Sequence, residues 1–219
     1  HSYYGEIVKR VYERYQELLS ANGGLDFDDL LMMTALMFRQ NPEVLAKYQS
    51  QYRHILVDEF QDTNQAQYAL LKQLSGEHHN LFCVADEDQS IYRWRGADYR
   101  NIRRLRDDHP EIETYLLERN YRSTQTILDA AQAVIRHNRD RVDKHLFTER
   151  TGGPKIVVHE AYDQDDEAQY VVDTIARLVA QEDRNPGDFA VMYRTNAQSR
   201  ALEDAFVRAG LPYKLVGAT

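Results

Sequence analysis

The chain has 219 residues, 42% of them apolar and 28% charged, and this ordinary composition excludes wholesale disorder. Lys and Arg number 27 against 35 Asp and Glu, a net charge of −8, which excludes a uniformly basic nucleic-acid domain but leaves room for a local basic track. One cysteine, Cys83, excludes an internal disulfide framework and suits a reducing, cytoplasmic setting, while the longest nearly apolar stretch, Leu30 to Phe38, is too short to span a bilayer.

Taken in chain order, Ile7, Val8, Val11, Tyr12, Tyr15, Leu18 and Leu19 recur at helical spacing, so Tyr4 to Leu19 is expected to be a helix that stops at Asn22-Gly23-Gly24. A second helix follows Asp26, with Leu30, Leu31, Ala35 and Phe38 in register. Asn41-Pro42 breaks it and starts a short third helix running through Val44 to Tyr48. His54 to Val57 reads as a buried strand that ends abruptly at Asp58-Glu59. Thr63 or Asn64 caps the next helix, which carries Ala66, Leu70, Leu71 and Leu74 and closes near Gly76. A second apolar run, Leu81 to Ala85, again ends at acids: Asp86, Glu87 and Asp88. A helix over Ala97 to Arg106, a strand over Glu113 to Leu117 and a helix over Thr124 to His137 follow.

Thr151-Gly152-Gly153-Pro154 is the best boundary on composition. Beyond it the pattern predicts a strand (Lys155 to Glu160), a helix bearing Ala168, Val171, Val172, Ile175 and Val179, and a strand (Phe189 to Tyr193). A helix from Ala197 to Ala209, stopped by Gly210, and a last strand, Tyr213 to Val216, complete it. Alternating strands and helices argue for an α/β architecture with a mainly parallel sheet, in which ligands sit beyond the carboxyl ends of the strands. Both acid clusters fall at that edge.

Three segments there carry candidate chemistry. A strand delivering Asp58-Glu59 suits a nucleotide hydrolase: the first carboxylate can hold Mg²⁺ and the second can orient or deprotonate a water. The plainer alternative is a solvated loop that helps to start the next helix. In the segment Asp86 to Gly96, Gln89 follows a strand, where an amide can sense a phosphate or a water. Trp94, the only tryptophan, lies between Arg93 and Arg95, which suits stacking on a nucleobase. Arg100, Arg103, Arg104 and Arg106 continue the positive charge, so residues 93–106 hold six arginines against the single acid Asp98. The alternative is a tryptophan packed under its own arginines. In Glu118 to Thr124, Arg122 can stabilise charge on a transferred phosphoryl group and Tyr121 can stack on a base. The alternative is a polar helix start capped by Ser123 or Thr124, with Arg122 in a surface ion pair.

Together these segments resemble the UvrD/Rep/PcrA-type superfamily 1 DNA helicases. Val57-Asp58-Glu59-Phe60-Gln61-Asp62-Thr63-Asn64 matches that family's Walker B element, motif II. The run Asp88-Gln89-Ser90-Ile91-Tyr92-Arg93-Trp94-Arg95-Gly96-Ala97 matches motif III, and Asn120-Tyr121-Arg122-Ser123-Thr124 matches motif IV. Leu25-Asp26-Phe27-Asp28-Asp29-Leu30 looks like the segment where the inserted helical subdomain returns to the first motor lobe. Tyr193-Arg194-Thr195-Asn196-Ala197-Gln198-Ser199-Arg200 looks like a second-lobe motif. Ala85 stands where many members have glycine, and Glu87 where many have alanine or another small residue.

The resemblance implies parts of two RecA-like parallel-sheet lobes of the P-loop NTPase type. Residues 1–24 would end the first lobe's helical insertion, 25–122 would form the later part of that lobe, and 123–219 the first part of the second. It implies ATP and Mg²⁺ as cofactors, single-stranded and forked DNA as partner, and 3′-to-5′ translocation with duplex unwinding, in processes that include DNA repair. Asp58 would bind Mg²⁺, Glu59 would activate water, and Gln89 would touch the γ-phosphate. Tyr121 would stack on adenine, with Arg122 reaching the γ-phosphate. Trp94, Tyr92 and Arg95 would line the DNA track, and Arg194 and Asn196 would meet the DNA backbone. No Gly-Lys-Ser or Gly-Lys-Thr occurs in the 219 residues, so the family's phosphate-binding loop is missing from them. The chain therefore reads as an interior helicase fragment, inactive alone, whose loop is expected upstream and whose last motor motifs are expected downstream. The alternative is a non-catalytic DNA-binding or protein-interaction module.

Overall fold

A computed structural model describes residues 3–138, 142, 144–181 and 184–217. The chain divides into two compact units, His1–Gly153 and Pro154–Thr219, and the division falls within the Gly152-Gly153-Pro154 stretch. Gly153 has φ +103°, and a Cβ there would lie 2.9 Å from Thr124 Cγ2, so both its backbone angle and its neighbour require glycine.

The first unit opens with α1 (Tyr3–Ala21), whose apolar stripe faces solvent, as Ile7, Val11 and Leu18 are all exposed. Tyr15 Oη donates to Asp26 Oδ2 at 2.9 Å, tying this helix to the start of the next. In α2 (Phe27–Gln40), Asp26 caps the helix by accepting from Asp29 N at 2.8 Å, while Asp29 accepts from Asp26 N at 3.2 Å. Pro42 begins α3 (Pro42–Gln51). Next come β1 (Ile55–Val57), α4 (Gln65–Ser75) and β2 (Leu81–Cys83). The two strands pair in parallel, Ile55 with Leu81 and Val57 with Cys83. Asn64, not Thr63, caps α4, in a reciprocal pair with Gln67.

One short turn past β1, Phe60 enters the core with Tyr68, Ile102 and Leu105, backed by Val57, Leu71, Leu81 and Cys83. Burial pushes the Cys83 thiol up to about 11, so it stays protonated. The helix expected over Ala97 to Arg106 runs as α5, Arg100–Asp108. Its start is displaced because Arg93–Arg95 forms a separate 3₁₀ turn that ends at Gly96 with φ +93°, a left-handed geometry open to glycine. After α5 come an extended stretch and α6 (Gln125–Ile135), and before the unit ends Phe147 forms an isolated parallel bridge with Arg119.

The second unit packs α7 (Gln164–Gln181) on α8 (Ser199–Ala209) through Ala168, Val172 and Ala205, with Leu202, Phe206 and Leu211 around them. Asp163 Oδ1 accepts from Asp165 N at 3.0 Å and Asp166 N at 2.9 Å at the start of α7.

The mixed helix-and-sheet architecture has its small parallel sheet, but four expected strands are not paired. Residues 113–117, 155–160, 189–193 and 213–216 lie outside any ladder among the described residues. A strand exists only through hydrogen bonds to a neighbour, and apolar sequence cannot supply that neighbour by itself. Val158, in such a segment, is 91% exposed. No described helix is long and apolar enough to cross a membrane.

Candidate nucleotide and nucleic-acid site

Asp58 and Glu59 leave the carboxyl end of β1 and are both exposed. Glu59 adopts a left-handed backbone, φ 49° and ψ 42°, a conformation that costs an L-residue roughly 1–2 kcal/mol. Local bonds hold it there. Asp58 Oδ1 accepts from Glu59 N at 2.9 Å, and Phe60 N donates to Val84 O at 3.0 Å. Gln61 Nε2 donates to Glu59 Oε2 at 2.7 Å.

Gln61 is only 1% exposed and reaches further. Its Oε1 accepts from Asp86 N at 3.0 Å, and its backbone carbonyl accepts from Ser90 Oγ at 3.4 Å. One buried amide thus joins the acid pair after β1 to the acid segment after β2. Sequence reasoning assigned Gln61 no role, since an amide near two acids carries no sign of burial. Beside it, Asp62 has a buried carboxylate oxygen with no hydrogen-bond partner among the described residues. Desolvation and then the charge of Glu59 push the Asp62 carboxyl up. Among the described residues no Lys, Arg or His pairs with Asp58 or Glu59. Exposed, uncompensated carboxylate oxygens on a fixed backbone are the hard donor set that Mg²⁺ takes, usually through one or two carboxylates. The residues fit the ion.

The second acid cluster is built differently. Asp86 accepts from Lys144 Nζ, from Gln89 Nε2 at 2.8 Å and from Asp88 N at 3.0 Å. Lys144 Nζ also lies 3.3 Å from Asp88 Oδ2. Burial pushes the Asp86 carboxyl up, but the bonds from Lys144 and Gln89 outweigh it and hold it below the ordinary range. Lys144 was another residue the sequence did not single out, because its partner lies 58 positions away. Val142 N donates to Glu87 Oε2 at 3.1 Å, bringing the same segment onto the cluster. Further on, His145 N donates to Glu118 Oε1 at 2.6 Å and Asn120 N to Phe147 O at 2.7 Å. Val142, Lys144, His145 and Phe147 therefore connect the second cluster to the segment that carries Tyr121 and Arg122.

There, Asn120 Oδ1 accepts from Arg122 N at 3.0 Å and Ser123 N at 2.7 Å. Neither Ser123 nor Thr124 caps α6 with its side chain, and the Thr124 hydroxyl is buried without a partner among the described residues. Arg122 keeps an exposed side chain, with no carboxylate partner among the described residues. Tyr121 is 70% exposed, with the Arg119 guanidinium 4.8 Å above its ring.

Trp94 is 69% exposed on its 3₁₀ turn. The Arg95 guanidinium lies 4.6 Å from the Trp94 ring and 5.2 Å from the Tyr92 ring. The plain alternative therefore holds for one contact of Trp94, its neighbouring arginine, while most of the ring stays open. The loop is pinned at both ends to the turn after β1. Ser90 bonds Gln61, as above; at the other end Asp98 N donates to Thr63 O at 3.0 Å, and buried Asn101 Nδ2 donates to the same carbonyl at 3.0 Å. The arginine track is shorter than the sequence suggests. Arg100 clasps Asp98 at 2.7 and 2.9 Å and Arg104 adds a contact at 2.9 Å, holding that carboxyl far below its usual range. Arg106 leans toward Glu87 at 3.8 Å. Among the described residues Arg93, Arg95 and Arg103 carry no ion pair. A groove of about 550 Å³ beside them is lined by Met32, Asn64, Arg93 and Tyr99, and a smaller one of about 200 Å³ by Asp62, Gln67, Tyr92 and Arg95.

In the second unit, Gln198 Oε1 accepts from Arg194 N at 3.0 Å and Thr195 N at 2.9 Å. This turn leaves the Arg194 and Asn196 side chains exposed at the start of α8.

Residues 1–110 match the UvrD/REP helicase N-terminal domain, and residues 115–219 match the UvrD-like helicase C-terminal domain. The chain is 48% identical over 215 residues to the ATP-dependent DNA helicase PcrA of Staphylococcus epidermidis, and 49% identical over 218 residues to that of Staphylococcus aureus. Each match covers 98% of this chain and 29% of the relative, so the chain spans less than a third of the length of these helicases. With the acid pair, the Trp–Arg loop and the Asn-Tyr-Arg segment in family order, the chain belongs to the UvrD/REP helicase family.

Proposed function

We propose that this chain is part of an ATP-dependent DNA helicase that moves 3′ to 5′ on single-stranded DNA and opens duplex. Residues 1–24 would close the helical insertion of a first RecA-like lobe, 25–122 would form the later part of that lobe, and 123–219 would begin the second. Asp58 would hold Mg²⁺, and a bound ion would supply charge neutralisation on the phosphates. Glu59 takes the proton of the attacking water, and its carboxylate is kept in place by Gln61. Gln89 and Arg122 would reach the γ-phosphate, Tyr121 would stack on adenine, and Trp94, Tyr92 and Arg95 would hold single-stranded DNA. Arg194 and Asn196 meet the DNA backbone from the second lobe.

The observation that carries this reading is the double attachment of residues 90–98 to residues 61–64. Both attachments end on backbone carbonyls of the turn that follows Asp58 and Glu59, so a shift of that turn would be passed to the loop that presents Trp94, which is what coupling of hydrolysis to a nucleic-acid track requires.

The test uses the full-length parent. Glu59→Gln is expected to lower DNA-stimulated ATP turnover by roughly 10²–10⁴-fold while leaving single-strand affinity in place. Trp94→Ala is expected to weaken single-strand binding by about 1–3 kcal/mol and to reduce DNA stimulation. Turnover that survives Glu59→Gln, or binding unmoved by Trp94→Ala, overturns the corresponding assignment. The 219-residue chain alone, lacking a Gly-Lys-Ser/Thr loop, is expected to show no DNA-stimulated hydrolysis.

A further inference from the structure

Away from the acid edge, three donor groups converge where the chain enters β2. His79 lies two residues before that strand, and His109 and Glu111 follow α5. His109 Nδ1 lies 3.4 Å from Glu111 Oε1, and His79 Nδ1 lies 3.6 Å from the same oxygen. One ligand atom from each of the three residues can be chosen so that all lie within 4.8 Å of one another. Two donors bound to a tetrahedral Zn²⁺ at 2.0–2.1 Å sit about 3.3–3.4 Å apart, so the two histidine–carboxylate separations approach the edge of such a tetrahedron.

The backbone is fixed around this triplet. His79 N donates to Ser75 O at 2.8 Å, His109 N to Leu105 O at 2.9 Å and Ile112 N to His109 O at 3.0 Å. Pro110 separates His109 from Glu111 and restricts that short link. His79 is held at φ 54°, one of two described non-glycine residues in the left-handed region, the other being Glu59. The neighbouring His78 is excluded from the triplet by its own bonds, with Nε2 2.9 Å from Tyr52 O and Nδ1 accepting from Asn80 N at 3.0 Å. The His79 and His109 rings meet edge to face at 5.5 Å, which keeps two imidazoles together with one carboxylate.

We infer that His79, His109 and Glu111 form a binding site for a divalent transition metal, with Zn²⁺ the ion best suited to the two-imidazole, one-carboxylate donor set. Three protein ligands leave a fourth position for water. The ion clips the loop before β2 to the segment after α5, at the end of the sheet opposite Asp58 and Glu59. Mg²⁺ prefers oxygen-only surroundings, so the two sites select different ions.

The experiment titrates Zn²⁺ into the 219-residue chain by calorimetry and follows Co²⁺ binding by its visible absorption. Wild type is compared with His79→Asn, Glu111→Gln and Asp58→Asn. Asparagine tolerates the left-handed backbone, so His79→Asn removes the ligand and keeps the turn. Because loss of even an outer partner of a metal ligand weakens binding by about 10–100-fold, His79→Asn and Glu111→Gln are each expected to weaken Zn²⁺ by at least about tenfold. Both should lose the tetrahedral Co²⁺ absorption, while Asp58→Asn retains both signals. No saturable Zn²⁺ binding to wild type, or binding that His79→Asn and Glu111→Gln leave unchanged, overturns the assignment.

Discussion

Two acid clusters leave the same edge of one small sheet, and in sequence they look alike: a short apolar run, then carboxylates. The structure makes them opposites. Asp58 and Glu59 are exposed and have no cationic partner among the described residues, whereas Asp86 is held by Lys144, Gln89 and a backbone N–H. A carboxylate already neutralised by a lysine has little left to offer a metal, so the first cluster is the one suited to an ion and the second serves as a latch. Gln61 lies between them and bonds to both.

The largest effect expected from breaking this arrangement is on turnover. Gln61→Met keeps much of the side-chain volume but removes the bonds to Glu59 Oε2 and Asp86 N. In the full-length parent it is expected to lower ATP turnover by roughly 10–100-fold, through loss of Glu59 orientation. Steady-state ATPase measured beside single-strand binding checks it. Turnover equal to wild type would mean that the two clusters act independently.

A middle-sized effect should fall on stability. Lys144→Met leaves Asp86 and Asp88 facing each other without their shared cation, and all three side chains are largely covered, at 17, 28 and 11% exposure for Lys144, Asp86 and Asp88. The expected cost is about 1–3 kcal/mol, read as a lowered urea midpoint of the 219-residue chain. Asp58→Asn, by contrast, should leave that midpoint close to wild type. Equal losses from the two variants would erase the distinction between site and latch.

Much of the fold's local grammar was legible. Helix starts at Asp26 and Asn64, the Asn-Pro break and the Gly-Gly-Pro division rest on capping and backbone chemistry that acts within a few residues. The strands Ile55–Val57 and Leu81–Cys83 were legible as well, since both segments are short, apolar and separated by one helix, but the burial expected of the first was not, as Leu56 is 75% exposed. The unpaired segments were not, because pairing is a property of a neighbour and not of the segment itself. Lys144 on Asp86, and Arg100 and Arg104 on Asp98, illustrate the same gap for charge. Counting arginines between residues 93 and 106 gives a basic track, but a buried aspartate takes two of them out of it. Gln61 was hidden for a further reason: only its burial shows that both ends of its amide must find partners.

The smallest effect, and the one that separates the clusters by sign, belongs to Asp62. Its carboxyl is pushed up by desolvation and by Glu59, while that of Asp86 is held down despite its burial. A raised carboxyl binds its proton more tightly in the folded chain. Its favourable contribution is therefore complete below the unfolded value of about 3.9 and is lost as pH rises through the folded one. At neutral pH the ionised Asp62 destabilises the fold. Asp86 runs the other way: its contribution is present above the unfolded value and is lost as pH falls through the depressed one. Asp62→Asn should accordingly raise the urea midpoint at pH 7, by less than about 1 kcal/mol in stability, and the gain should shrink toward pH 4. Asp86→Asn should lower the midpoint at pH 7, and that loss should shrink as the pH drops below about 4. If both variants shift stability in the same direction at pH 7, the buried oxygen of Asp62 is not the liability its surroundings make it, and the contrast between the two ends of Gln61 is one of bonding alone.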